Sequence, residues 1–113
     1  MRALQDEECL TLQQGVPTAN DLEIKELIKF IPRWRIIEIN GVRQLERTYR
    51  FKNFLLALAF TNQVGEIAEE QNHHPTLLTE WGKVTVTWWT HVVKGLHRND
   101  FIMAAKCDAI YQE

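Results

Sequence analysis

The chain has 113 residues, with 15 acidic against 13 basic side chains and a formal net charge of −2. That length argues for one domain with a single core, and the charge balance excludes the basic footprint ordinarily found in nucleic-acid binders. Cys9 and Cys107 match neither a disulfide framework nor a Cys-x-x-Cys pair. The longest apolar run, Phe54 to Phe60, has seven residues, against the roughly 20 that span a bilayer.

Residues 1–17 show no sustained period and lack the apolar stretch of a secretory signal. They are expected to form a loosely ordered arm of a cytoplasmic protein, with Gly15-Val16-Pro17 breaking any helix. Residues 18–113 are expected to form the domain. Thr18-Ala19-Asn20-Asp21 resembles a capping box with Thr18 as the cap. Behind it Ile24, Leu27, Ile28 and Ile31 repeat at helical spacing, and Pro32 ends the helix.

Trp34 to Ile39, Asn40-Gly41, and Val42 to Phe51 predict a hairpin, because Asn-Gly favours the type I′ turn. A two-residue turn sets Glu38 opposite Arg43, Arg35 opposite Glu46, Ile36 opposite Leu45 and Trp34 opposite Arg47. Two opposite-charge pairs and a cation–π pair in one register support one another.

Asn53 is positioned to cap a second helix running to about Glu70, with Leu56, Ala57, Phe60, Val64 and Ile67 as its core stripe. Phe54, Leu55 and Leu58 lie on the opposite side and call for a second packing surface. Leu77 to Trp81 and Lys83 to about His91 read as two more strands around Gly82. If the second stays regular, His91 points away from Val84 and Val86. A third helix, from about Arg98 to Tyr111, carries one stripe in Phe101, Ile102, Ala105 and Ala109 and another in Met103, Cys107 and Ile110. The surplus apolar surface predicts a homo-oligomer. The order α-β-β-α-β-β-α predicts an α+β fold, a four-stranded antiparallel sheet with three helices packed on one face.

Three of the four histidines fall in Asn72-His73-His74-Pro75 and Thr90-His91. Imidazole titrates near neutrality, so such a cluster points to proton transfer or metal binding. Established zinc spacings are absent. The chain has no serine, and Cys107 sits inside a helix, which leaves no nucleophile arrangement. Glu69, four residues before His73, can reach its ring if the last helical turn persists. His74 precedes a proline and is biased to extended backbone, so the two adjacent imidazoles diverge.

Asn72-His73-His74-Pro75, Val84-x-Val86-x-Trp88-x-Thr90-His91 and Gly95-Leu96-x-x-x-Asp100 resemble the signature of the pterin-4a-carbinolamine dehydratases, as do Phe51-Lys52-Asn53-Phe54 and Ile31-Pro32-x-Trp34. The resemblance covers roughly residues 20 to 110 and is closest to bacterial members associated with phenylalanine hydroxylase. It implies elimination of water from a 4a-hydroxytetrahydropterin to give the quinonoid dihydropterin, with no metal or organic cofactor. It implies His73 and His91 as the acid–base pair and Glu69 as the group orienting His73. It further implies His74, Pro75, Thr90, Val92, Val93 and Asp100 around the pterin. Partners would be the pterin and a second copy or more of the chain, as homodimer or homotetramer, with a functional link to phenylalanine hydroxylase and no membrane or nucleic acid. Three positions depart from the family pattern: Asn72 for Asp, Leu77 for an aromatic residue, and His97 for the Ser or Thr that caps the last helix. The alternative is a non-catalytic relative that binds protein partners, as in transcriptional or assembly roles; a metal hydrolase ranks third.

Overall fold

A computed structural model describes residues 3–12 and 17–111. The elements are α1 (Asp21–Leu27, continued by a 3-10 turn Ile28–Phe30), β1 (Arg35–Ile39), β2 (Val42–Arg50), α2 (Phe54–Gln71), β3 (Thr76–Glu80), β4 (Lys83–Trp88) and α3 (Arg98–Ile110). The strands form one antiparallel sheet in the order β1-β2-β4-β3. Leu45, Tyr49, Val84, Val86 and Trp88 alternate onto one face and share a core with buried side chains of all three helices. Thr48 and Thr85, out of phase with them, pair their hydroxyls at 3.0 Å on the other face. The expected α+β architecture is therefore present.

The hairpin keeps the expected register, Arg35 opposite Glu46 and Glu38 opposite Arg43. Asn40 and Gly41 both have positive φ, 52° and 78°, as a type I′ turn requires. Two of the side-chain pairings differ. Arg43 reaches Asp21 at 2.9 Å instead of Glu38. Trp34 lies just outside β1, and Arg47 stacks over Tyr49 and Tyr111, 4.2 and 5.3 Å from their centroids. What draws Trp34 and Arg47 together is a carboxylate from α3. Asp108 Oδ1 accepts from Trp34 Nε1 (2.9 Å), Arg47 Nη1 (2.7 Å) and Tyr49 Oη (2.5 Å).

Helix α1 starts two residues later than expected. Ala19 N–H is committed to the Leu96 carbonyl at 2.7 Å, residues 18–19 stay outside the helix, and Asn20 becomes the cap. Asn20 accepts from Glu23 N–H, and Glu23 reaches back to Asn20 N–H, a complete capping box. Strand β4 ends at Trp88, short of His91. The chain instead folds over residues 91–94, Lys94 takes φ 53°, and Thr90 pairs with Gly95 in an isolated bridge.

Asn53 caps α2 by accepting from Leu56 N–H at 2.9 Å. Ala57, Phe60, Val64 and Ala68 face the core, while Phe54, Leu55, Leu56 and Leu58 are exposed; Leu56 thus leaves its expected stripe. Helix α3 is buried on both sides. Cys107 of the second stripe meets Trp88 of the sheet, and the opposite side, at Ala105, is covered by the chain itself: Leu4, in a 3-10 turn Leu4–Asp6, enters the core, Lys106 holds the Gln5 carbonyl at 2.9 Å, and Arg98 grips Glu7 with two hydrogen bonds. Within the expected arm, Leu4, Gln5 and Glu7 thus contact α3; Gly15 and Val16 of the expected helix break lie outside the described residues.

His97 caps α3. Its Nδ1 accepts from Asn99 N–H at 3.1 Å while Asp100 accepts from His97 N–H at 3.0 Å. A ring used as an acceptor must be neutral, and burial pushes the His97 pKa below its ordinary 6.5, opposed by Asp100 and assisted by His73.

Two predictions follow from these anchors. Asp108→Ala strands three donors at the core edge and should lower unfolding free energy by about 3 kcal/mol, the low end for a broken buried ion pair because the carboxylate keeps some water; urea denaturation measures it. A histidine with a depressed folded pKa contributes its stability above the unfolded value of 6.5 and loses it as pH falls through the folded value. The stability of His97→Ser, which keeps a cap but not the titration, should therefore fall less steeply than wild type below that pH in thermal melts.

Candidate active site

The end of α2 decides where the two adjacent histidines go. Asn72 adopts the left-handed conformation (φ 52°, ψ 43°), which asparagine tolerates better than most residues. Asn72 N–H bonds the Glu69 carbonyl and His73 N–H the Ala68 carbonyl, the Schellman pattern. After that reversal His73 turns inward and His74 outward.

His73 Nε2 lies 2.6 Å from Asp100 Oδ1. The His73 side chain is 12% exposed and the Asp100 side chain 0%. Asp100 Oδ2 accepts from Thr90 Oγ1 at 2.7 Å and from His97 N–H. Beneath the imidazole lies Trp88, with ring centroids 5.6 Å apart and planes 7° from parallel. The position of His73 is therefore set by a carboxylate on one nitrogen and an indole on one face. Charge-assisted bonds of this kind are the stronger ones.

His74 Nε2 pairs with Glu69 Oε2, both side chains largely exposed. Glu69, expected beside His73, thus bonds His74 instead, and the carboxylate on the His73 ring is that of Asp100. His91 opens the turn after Thr90 and stacks on Trp89 at 3.9 Å. Among the described residues no carboxylate pairs with its ring.

His73, His74, Thr90, His91 and Val92 line one cleft of about 430 Å³, within the range of roughly 300–1,000 Å³ occupied by small-ligand sites. Asp100 and Glu69 do not line it but bond His73 and His74, which do, and Pro75 and Val93 are also outside the lining. A larger groove, about 550 Å³ beside Phe51, Phe60 and Tyr111, contains no imidazole or carboxylate. The cleft also contains residues that sequence reasoning missed: Cys9, Leu10, Thr11, Leu12, Gln71 and Asn99. No periodicity marks the arm residues; Asn99 stood out only as the neighbour of Asp100.

The Cys9 thiol is pushed up to about 11 by burial, with the charge of Asp100 adding to the effect and Lys106 opposing it, so it is not a ready nucleophile. Among the described residues no three His, Cys, Asp or Glu side chains come together as a metal site. The arrangement is therefore a cleft with one deeply held imidazole, two exposed ones and an apolar margin. Its available chemistry is proton transfer to and from a bound small molecule.

Comparison with known proteins agrees with this chemistry. A crystal structure described as a transcriptional coactivator/pterin dehydratase from Brucella melitensis superposes with a TM-score of 0.76 at 29% identity, covering 84% of this chain and 99% of that one. Residues 17–110 match the family described as pterin 4 alpha carbinolamine dehydratase, and with the match extending over most of its length the chain belongs to that family.

Proposed function

We propose that the protein is a 4a-hydroxytetrahydropterin dehydratase that recycles the cofactor of an aromatic amino-acid hydroxylase, phenylalanine hydroxylase first among them. The observation that carries this reading is the His73–Asp100 pair opening onto the same cleft as His91. In the reaction the C4a–O bond breaks, a ring N–H gives up its proton, and the departing hydroxyl receives one to leave as water. With Nε2–H donated to Asp100, His73 keeps Nδ1 as its free acceptor, a tautomer inferred from the hydrogen bond. The buried carboxylate stabilises the imidazolium that would form, which suits His73 to take the ring proton. His91, exposed to solvent and free of a carboxylate partner, suits delivery of a proton to the leaving hydroxyl. His74 contributes ring contacts at the rim, with Glu69 steadying it. These roles need neither a metal nor an organic cofactor.

A protein-binding role is the second reading. Its support is the exposed strip Phe54, Leu55, Leu56 and Leu58 on α2, because contiguous apolar surface marks interaction sites. We assign that strip to self-association as a homodimer or homotetramer. The described helices include none long and apolar enough to cross a membrane, and a cytoplasmic setting fits the proposed substrate.

Purified protein should accelerate loss of the 4a-hydroxy adduct generated by phenylalanine hydroxylase, followed by ultraviolet absorbance. His73→Ala and His91→Ala should each lower kcat by about 10²-fold or more, and Asp100→Asn should lower it far more than Glu69→Gln. No acceleration by wild type over buffer would rule the activity out. Leu55→Asp should reduce the mass measured by light scattering to that of the monomer; an unchanged mass would remove the strip from the interface.

A further inference from the structure

The N-terminal arm does more than cover α3. Asn99, buried in the first turn of that helix, accepts from Leu10 N–H through Oδ1 and donates through Nδ2 to the Leu10 carbonyl, both at 2.9 Å. One side-chain amide thus satisfies both backbone groups of one residue, as a neighbouring strand would. Gln71 Oε1 accepts from Cys9 N–H at 2.8 Å. Both clamping residues adjoin the support of His73: Gln71 is two positions before it, and Asn99 is next to Asp100.

The backbone held in this way carries Leu10 into the lining of the histidine cleft, where Leu10 is 65% and Val92 45% exposed. A leucine on a mobile loop would need no explanation. Here a buried asparagine is committed to fixing the backbone of a residue whose side chain stays in water, beside the three imidazoles. Small-molecule clefts combine a few polar groups with apolar walls, and this cleft has its three imidazoles after the ends of α2 and β4 and two leucines, Leu10 and Leu12, on the arm.

We propose that Leu10 is a substrate-binding residue, held by Asn99 as a positioning residue, and that it forms the apolar wall against which a reduced pterin ring packs. The inference rests on the dehydratase reading above and extends it to the arm, which lies outside the family match beginning at residue 17. The wall binds the ring throughout the reaction and makes no contact with the proton-transfer atoms, so its loss should appear in KM and leave kcat alone.

The test is steady-state dehydration by the full-length protein, paired with tryptophan-fluorescence titration using a 7,8-dihydropterin as a non-reacting probe. Leu10→Ser should raise KM and the dihydropterin Kd about fivefold, the effect of removing roughly half a leucine burial, with kcat changed by less than about twofold. Leu22→Ser, equally exposed on α1, should change none of these. Asn99→Ala should raise KM in the same way, and Leu10→Ser added to Asn99→Ala should then cost less than about twofold more, because the two act through one contact. Additive effects would overturn the positioning role of Asn99. An active wild type with an unchanged KM and Kd in Leu10→Ser, or with a loss confined to kcat, overturns the wall and leaves the dehydratase reading intact. A wild type that binds dihydropterin without dehydrating removes the activity, and the Kd ratio then judges the wall. A wild type that does neither overturns both.

Discussion

The carboxylate of Asp100 is wholly buried, and three separate segments depend on it. It takes a hydrogen bond from the imidazole that follows α2, one from the hydroxyl of Thr90 after β4, and one from the backbone N–H of the residue that caps α3. Hydrogen bonds to a charged group contribute about 1.5–3 kcal/mol each when satisfied, and an unpaired buried charge costs several. The fold therefore cannot let His73 drift without exposing Asp100 to that penalty. Nor can α3 begin elsewhere, because the same side chain completes its capping box. Site geometry and helix initiation are one constraint. The indole of Trp88 supplies the remaining face of His73.

The contrast between His73 and His74 follows from a single left-handed residue. Without the reversal at Asn72, consecutive residues of a helix would send the two rings roughly 100° apart around one axis. With it, one ring meets a buried aspartate and the other an exposed glutamate. These partners are not equivalent: an exposed ion pair contributes roughly 0–1 kcal/mol and is screened by salt, whereas the buried one is difficult to break. Asn72, which the family pattern marks as a departure from Asp, suits this duty well, since its amide tolerates positive φ and adds no charge beside His73.

Local chemistry made much of the fold legible in the sequence. The hairpin register followed from Asn40-Gly41 and the alternation on either side, and the element order from hydrophobic period and caps. The motif residues His73, His74, Thr90, His91 and Val92 do line one cleft. What could not be read locally was decided by distant competitors. Arg47 opposes Trp34 by register, yet both bind a carboxylate 61 and 74 residues away in sequence. Thr18 looked like a cap until the Leu96 carbonyl claimed the next N–H. Glu69 has the spacing to reach His73, but spacing says nothing about a Schellman reversal three residues beyond it. The arm shows no periodicity because it packs as extended chain and a single 3-10 turn, with Leu4 as its one core residue among those described.

Helices α2 and α3 present the same sequence signal, apolar residues on two sides, and the fold answers it in two ways. For α3 the second side is met within the chain: Leu4 packs in the core, and Arg98 and Lys106 hold the arm on either side of it. For α2 no described residue covers Phe54, Leu55 or Leu58. The surplus on α3 is therefore no argument for an oligomer, and the whole of that argument falls on α2. The two surfaces then separate by function. Covering α3 with the arm also closes one side of the histidine cleft, because the arm reaches the cleft only by running along the helix that carries Asn99 and Asp100. The residues that line the histidine cleft all come from this chain, and none of them belongs to the exposed strip of α2.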